Sequence, residues 1–148
     1  MKGVVRASGV IVYRLLSDCS AIEYLCLRAS YGDHHYSPPK GHVDAGEDDL
    51  QTALRETNEE AGLEAERDFT IDGSFRRELH YEAHGHPKVV VYYLARLNEH
   101  ARPVALSHEH EHFEWAALQR AIDLMKYEDI CQALRDAEQF IRSKTDKL

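Results

Sequence analysis

Cysteine is scarce in this chain, and long apolar runs are absent. The three cysteines among 148 residues, Cys19, Cys26 and Cys131, form no close pair and no metal-ligand spacing. This excludes a disulfide framework and a cysteine zinc site and favours reduced, buried thiols. No apolar run approaches the ~20 residues of a membrane helix, and the opening MKGVVRASG lacks the apolar segment of a signal peptide. We therefore expect no membrane partner and a cytoplasmic or nuclear location.

Basic residues are also few, since 18 Lys and Arg oppose 26 Asp and Glu, for a net charge of −8. Nonspecific binding to nucleic acid depends on basic side chains that contact phosphates, so a nucleic-acid partner is disfavoured. An anionic substrate would need local help from a metal ion or from a few well-placed basic side chains.

Linkers rich in Ser or Gly and internal repeats are missing as well. A length of 148 residues suits one ordinary domain with a sizeable core. The sequence therefore predicts a single domain over residues 1–148, and we expect it to act as a monomer.

The first half of the chain reads as two strands, a loop and a helix. Residues 9–16 and 21–29 are β-branched and aromatic, and GDHHYSPPKGH at 32–42 has the composition of a loop. Apolar positions then fall on one helical face, namely Leu50, Ala53, Leu54, Thr57 and Ala61. Asp48 and Asp49 are expected in the first turn of this helix, and Gly62 as its left-handed cap.

The second half returns to strands before a second helix. Residues 69–83, 88–97 and 112–118 are strand-like, with a turn marked by Gly85 and Pro87. The last amphipathic stretch places four apolar residues on one face, Ile130, Leu134, Ala137 and Ile141. This order of elements predicts an α/β fold in which a mixed sheet lies between helices.

The segment RETNEEAGL at 55–63 crowds Glu56, Glu59 and Glu60 into about one and a half helical turns. Like charges four residues apart destabilise a helix by about 0.2–0.5 kcal/mol, so Glu56 and Glu60 should repel each other unless a cation lies between them. A solvated acidic face is the simpler explanation. A magnesium site is the alternative, because hard cations prefer carboxylate and carbonyl oxygens, and Lys40 and His42 in the preceding loop could face an anion.

The stretch GHVDAGEDDLQTALRETNEEAGL, read from Gly41, resembles the signature of the Nudix hydrolases. Every fixed position of that signature is occupied, by Gly41, Glu47, Arg55, Glu56, Glu59, Glu60 and Gly62. Thr57 departs from it, since a bulky aliphatic residue is usual there. Its methyl group can pack, and its hydroxyl can donate to the carbonyl of Ala53.

This resemblance implies an α/β/α sandwich around a mixed β-sheet and the hydrolysis of a nucleoside diphosphate linked to another group. The stretches SPPKGHVDAGEDDL, RELHYEA and LSHEHEHFEW further resemble the branch of the family that acts on dinucleoside polyphosphates. For this branch the implied reaction is asymmetrical cleavage of diadenosine tetraphosphate to ATP and AMP.

The resemblance also assigns roles to individual residues. The implied cofactor is Mg²⁺, for which Mn²⁺ could substitute, held by oxygens of Glu56, Glu59, Glu60, Glu109 and Gly41. Arg55 would orient a glutamate through a charge-assisted hydrogen bond. Substrate contacts are implied for His35, Lys40 and Lys88, which would neutralise phosphate charge, and for Tyr81 and Tyr127, which would sandwich an adenine.

Other interpretations of these motifs remain open at this point. The substrate of a Nudix enzyme could instead be a nucleoside triphosphate, an oxidised nucleotide or an RNA 5′ end. A nucleotide-binding sensor without catalysis belongs to another class, but its usual mark is loss of the glutamates. The alternating His108, His110 and His112 offer imidazoles for zinc, although no further ligand motif accompanies them.

Overall fold

The structure is a computed structural model that describes residues 4–16, 21–83 and 85–145, with Ala83 and Thr145 described by their backbone alone. Cys19 lies outside these ranges. The elements in chain order are β1 Val5–Leu15, β2 Ile22–Ala29, β3 Tyr36–Ser37, β4 Lys40–His42, α1 Asp49–Ala61, β5 Phe69–Ala83, β6 His86–Leu97, β7 His110–Ala116, α2 Leu118–Met125 and α3 Glu128–Thr145.

The seven strands form one mixed sheet. Its main path runs β3-β2-β1-β6-β5, while β4 pairs with β1 and β7 pairs with β2. β1 and β6 are parallel, and the other pairs are antiparallel. The central strand β1 therefore touches strands from both halves of the chain.

Both faces of β1 are buried, which explains its nearly continuous apolar sequence. Ile11 and Tyr13 belong to the core that α2 and α3 cover, whereas Val10 and Val12 belong to the core beneath α1. Each large apolar side chain buried in this way contributes about 1.5–3 kcal/mol. The helices thus lie on both faces of the sheet, and the predicted α/β/α sandwich is confirmed.

α1 has a well-defined start and end. Asp48 is its N-cap and accepts a hydrogen bond from the backbone N–H of Gln51 at 2.8 Å, while the Gln51 side chain accepts one from the backbone N–H of Asp48 at 2.9 Å. This capping box places Asp48 just before the first turn, so the prediction that it lies inside the turn is wrong. Gly62 ends the helix at φ 70°, as predicted.

The buried face of α1 differs from the predicted face at one position. Leu50 is 38% exposed, so its predicted burial is wrong, and Thr52 is buried instead. The Thr52 hydroxyl donates to a Glu47 carboxylate oxygen at 2.8 Å, which satisfies its polar group. Thr57 is buried and donates to the Ala53 carbonyl at 2.8 Å, as expected from its place in the motif.

Three further details separate the prediction from the structure. The loop at 32–42 contains the short strands β3 and β4, and Pro87 lies inside β6 rather than in the turn. α2 was not predicted as a helix at all. Across the described residues, no helix is long and apolar enough to cross a membrane.

Candidate active site

Glu60 lies on the buried side of α1 and is only 8% exposed. Its carboxylate accepts a hydrogen bond from the backbone N–H of Lys40 at 2.9 Å, which ties α1 to β4. Burial raises the pKa of Glu60 to about 8, because a carboxylate removed from water resists ionisation. The nearby charges of Glu56 and Glu109 act in the same direction.

Glu56 sits one turn earlier and fills the space in front of Gly41. A Cβ atom added to Gly41 would lie 2.0 Å from Glu56 Oε2, so only glycine leaves room for the Glu56 carboxylate in this position. Burial also raises the pKa of Glu56. Two carboxylates that resist ionisation are therefore held side by side near the half-buried Gly41 backbone.

Arg55 connects the acidic side chains around this cluster. Its guanidinium donates two hydrogen bonds to Glu47, at 2.7 and 3.0 Å, and one to the carbonyl of His42 at 3.0 Å. It also donates to Glu56 at 3.2 Å and to Glu59 at 3.2 Å. Arg55 thus orients several glutamates through charge-assisted bonds and holds Glu47 most closely.

Glu109 approaches the cluster from the loop before β7. The Glu109 carbonyl accepts from the backbone N–H of Ser30 at 2.9 Å, and the Glu109 N–H donates to Ser107 Oγ at 3.3 Å. The backbone N–H of Ser107 in turn donates to the Glu60 carbonyl at 3.3 Å. These contacts bring a residue distant in sequence next to α1, and its charge raises the pKa of both Glu56 and Glu60.

The chemistry of this donor set fits a divalent cation. In the described part of the chain, no group of three His, Cys, Asp or Glu side chains already converges on one point as metal ligands would. The raised pKa values of Glu56 and Glu60 nevertheless identify carboxylates that an adjacent cation would favour as anions. Carboxylate and carbonyl oxygens are the ligands that Mg²⁺ prefers.

A cavity of about 850 Å³ is joined to the glutamate cluster by Lys40, which lines it and whose backbone N–H donates to Glu60, although no glutamate of the cluster lines the cavity itself. All five residues predicted to contact substrate line it, namely His35, Lys40, Tyr81, Lys88 and Tyr127. Tyr81 is 38% exposed and Tyr127 is 63% exposed, so both rings are accessible to a ligand. The presence of Tyr127 near Tyr81 helps to raise the pKa of the Tyr81 hydroxyl, although burial is the main cause.

The two lysines of the cavity are electrostatically unusual. Burial lowers the pKa of Lys40, and burial together with the charge of Lys40 lowers the pKa of Lys88. Neither ammonium group forms an ion pair with a carboxylate among the described residues. The Lys88 Nζ atom lies 6.0 Å from the centre of the Tyr81 ring. The charge of Lys40 is attracted to Glu60 and Glu56, but two ammonium groups without a close ion pair still favour an anionic ligand in the cavity.

Several lining residues were not predicted from the sequence. Tyr31 and Asp33 belong to the loop before β3, where Asp33 accepts from His35 at 3.0 Å and the Tyr31 ring meets the His35 ring edge-on. Tyr92 lines the cavity from β6 and is only 4% exposed. Its strand pattern indicates a core residue, so no sequence signal distinguishes Tyr92 from its buried neighbours.

The three alternating histidines do not share one environment. His110 is buried at the start of β7, whereas His108 and His112 are exposed. His112 packs edge-on against Tyr36, at 6.5 Å between ring centres. A β-bulge opposite His110 interrupts the alternation on the paired strand β2. The described residues thus do not assemble a zinc site from these imidazoles.

The sandwich fold and this glutamate cluster are the features that the resemblance to the Nudix hydrolases implies. A comparison with models of known protein families identifies the same class. The model of the NUDIX domain matches residues 5–136. The chain belongs to the Nudix family.

Individual relatives indicate which members of the family this chain resembles. The chain is 46% identical over 142 residues to the asymmetrical bis(5′-nucleosyl)-tetraphosphatase of Mus musculus, covering 93% of this chain and 96% of the mouse protein. The protein of the same name from Caenorhabditis elegans is 46% identical over 138 residues. A crystal structure of a C. elegans Ap4A hydrolase binary complex superposes with a TM-score of 0.89, covering 95% of this chain and 99% of that one.

Proposed function

We propose that this protein hydrolyses diadenosine tetraphosphate asymmetrically, to ATP and AMP, with Mg²⁺ as its cofactor and Mn²⁺ as a substitute. The observation that carries this proposal is a cavity that holds the accessible rings of Tyr81 and Tyr127 together with Lys40 and Lys88, and that Lys40 joins to Glu60 of the glutamate cluster. The names of the mouse and nematode relatives support the same substrate class.

The substrate would be divided between the two parts of the site. Tyr81 and Tyr127 offer aromatic faces to one adenine, and stacking of this kind contributes about 1–3 kcal/mol per base. His35, Lys40 and Lys88 would bind the phosphates that follow. The distance between the tyrosines and the glutamates then decides which phosphorus lies at the reacting position.

The metal would be held by the carboxylates of Glu56 and Glu60, with Glu59, Glu109 and the Gly41 carbonyl as further oxygen donors. When bound, Mg²⁺ would neutralise phosphate charge and lower the pKa of a coordinated water. Arg55 keeps Glu56 and Glu59 in place through its hydrogen bonds at 3.2 Å. Lys40 lies where it can stabilise negative charge on the departing phosphate.

The asymmetrical cleavage follows because the tyrosines hold one adenosine while the glutamates lie at a fixed distance along the phosphate chain. A symmetrical molecule clamped at one adenosine presents a single, off-centre phosphorus to the glutamates, so the two products should differ in length. Hydrolysis in ¹⁸O-labelled water, followed by mass spectrometry, identifies the products and the phosphorus attacked. We expect ATP plus AMP, with the label in only one of them.

Two results would contradict this proposal. Two ADP molecules as the main product would contradict the off-centre placement. Absence of cleavage of diadenosine tetraphosphate, with cleavage of a nucleoside triphosphate or an RNA 5′ end instead, would assign another Nudix substrate. Glu56→Gln is the matched inactive control, because an amide is a weak ligand for Mg²⁺ and the protein should remain folded.

A further inference from the structure

The N-terminus of α3 forms part of the wall of the cavity. Residues Glu128, Asp129 and Ile130, the first three of an 18-residue helix, line it beside Tyr127. The N-terminus of a long helix carries a partial positive charge and free N–H groups, and it ordinarily attracts phosphate. A phosphate-binding cavity thus has a second potential phosphate site at its nucleoside end.

Acidic side chains cancel this attraction. Both Glu128 and Asp129 lie in the first turn of α3. The Glu128 carboxylate is 78% exposed and pairs with Arg135 at 3.0 Å. Asp129 forms no ion pair within the described residues, and its charge raises the pKa of the Tyr81 hydroxyl. Asp129 is therefore an uncompensated negative charge beside the proposed adenine site, as is Glu82, which also lines the cavity without an ion pair among the described residues.

Positive charge also lies close to Tyr81, because Lys88 is its partner in the pairing of β5 with β6. Lys88 approaches the Tyr81 ring to 6.0 Å, and the charge of Lys40 lowers the Lys88 pKa, so both cations act on the same region. The cavity wall thus carries cations on β4 and β6, from Lys40 and Lys88, and an anion at the start of α3, from Asp129. A ligand with phosphate at one end and an uncharged nucleoside at the other matches this polarity.

We propose that Asp129, assisted by Glu128, makes the nucleoside end of the cavity reject phosphate. The inference rests on the proposed function, since it assumes that Tyr81 and Tyr127 receive a nucleoside. Two consequences follow. The polyphosphate chain binds only toward Lys40 and Lys88, which fixes the direction of the substrate. Nucleotides that carry a phosphate on the ribose 2′ or 3′ oxygen are excluded from the site.

A purely structural role for the two acids gives a different expectation. Negative charge in a first helical turn stabilises the helix by about 0.3–1 kcal/mol whether or not a ligand binds. Removing it would then lower the melting temperature without changing the choice between two ligands. The ratio of two dissociation constants separates the roles, because a change in stability affects both ligands equally.

The test compares AMP with adenosine 3′,5′-bisphosphate, which differs from AMP by one ribose phosphate. Both are titrated into the full chain by isothermal calorimetry in the presence of Mg²⁺. We expect the wild type to bind AMP more tightly than the bisphosphate. Asp129→Asn should reduce that preference about two- to fivefold, the effect of one charge at a helix N-terminus. Glu128→Gln should reduce it less, because Arg135 already neutralises that carboxylate.

Glu99→Gln is the matched control, since it removes one negative charge from an exposed turn remote from the cavity. Its preference should equal that of the wild type. Equal or tighter binding of the bisphosphate by the wild type would overturn the inference, and so would an unchanged ratio in a folded Asp129→Asn protein. These titrations need no turnover, so a failure to cleave diadenosine tetraphosphate would count against the proposed function alone.

Discussion

Glu60 combines burial with negative charge, and its raised pKa of about 8 makes it a source of instability at neutral pH. The pKa of this carboxyl group is higher in the folded protein than in the unfolded chain, where it is near 4.5. Its contribution to the free energy of unfolding is therefore largest at a pH below 4.5. That contribution is lost as the pH rises toward 8. Charge at Glu60 is thus unfavourable in the protein without metal and becomes favourable when a cation binds.

Glu60→Gln should therefore stabilise the metal-free protein, by about 2–4 kcal/mol at pH 8 and by much less at pH 5. The amide oxygen can still accept the hydrogen bond from Lys40. Unfolding in urea with EDTA, measured at both pH values for both proteins, gives the difference. Added Mg²⁺ should stabilise the wild type and have little effect on the variant. A variant less stable than the wild type at pH 8 would contradict the assignment.

In the proposed function, Tyr81 supplies a ring face rather than a reacting group. Tyr81→Ala should raise KM for diadenosine tetraphosphate about tenfold and change kcat by less than about threefold, because stacking on a remote adenine is equal in the ground and transition states. Tyr81→Phe keeps the ring and should behave as the wild type. Steady-state kinetics on the three proteins decides the matter, and an unchanged KM in the alanine variant would remove Tyr81 from the adenine site.

At the scale of elements, the contact between β4 and α1 determines the geometry of the glutamates. Gly41 leaves no room for a side chain, since its Cβ would lie 2.0 Å from Glu56 Oε2. Either the strand or the carboxylate must move when a methyl group is added. The position of the Glu56 carboxylate thus depends on a single missing side chain.

Gly41→Ala should lower kcat/KM about 10- to 100-fold, the usual effect of misplacing a catalytic group by ~1 Å. Every charge of the site is retained in this variant. Gly73→Ala is the control, because no heavy atom lies within 4 Å of its added Cβ and the backbone there has no positive φ. Activity assays with circular dichroism test this, and wild-type kcat/KM in a folded Gly41→Ala protein would contradict it.

Elements with a strong period were predictable from the sequence, and those fixed by tertiary contacts were not. α3 appeared in the spacing of Ile130, Leu134 and Ala137, all of which are buried. β3 and β4 have only two and three residues, which is too short for a period to be visible in the sequence. They are strands because they pair with β2 and β1 in the folded protein. α2 was missed because the preceding strand signal was extended to residue 118, the first residue of this helix.

The same distinction holds for the candidate site. The glutamates of α1 stand at fixed spacing, so the sequence alone indicated them as a group. Tyr92 and Asp33 reach the cavity only because strand order and loop shape bring them there. Asp33 does bond to His35 two residues further on, but an acidic residue next to histidines in a loop is not by itself a sign of a cavity wall. Their contribution to the cavity became apparent only from the fold.

At the scale of the whole molecule, Asp68 fastens the segment after α1 to the loop after β6. Its carboxylate is fully buried and accepts hydrogen bonds from the Arg102 guanidinium at 2.7 Å, the Arg102 N–H at 2.9 Å and the Glu64 N–H at 2.8 Å. These bonds hold the pKa of Asp68 well below its usual value of 3.8, with the Arg102 side chain as the largest cause.

Asp68→Asn should destabilise the fold by about 2 kcal/mol at pH 7, since it weakens charge-assisted hydrogen bonds to a buried group. Because the pKa of Asp68 is lower in the folded protein than in the unfolded chain, its charge contributes fully to the free energy of unfolding when the pH is above the unfolded pKa. This contribution is lost as the pH falls further. The difference between the two proteins should accordingly shrink below about pH 4. Urea unfolding from pH 3 to pH 7 measures it, and a constant difference across that range would contradict the role of charge.

The parallel pairing of β1 with β6 has a consequence for how the chain folds. Residues 5–13 pair with residues 88–96, so the centre of the sheet joins segments separated by about eighty positions. Contacts of such long range slow folding, because the intervening chain must be ordered before they form. During synthesis, β1 can pair with β2 and β4 well before β6 has emerged from the ribosome. One side of β1 therefore stays an open strand edge until late in translation, and this interval is when the nascent chain is most exposed to aggregation.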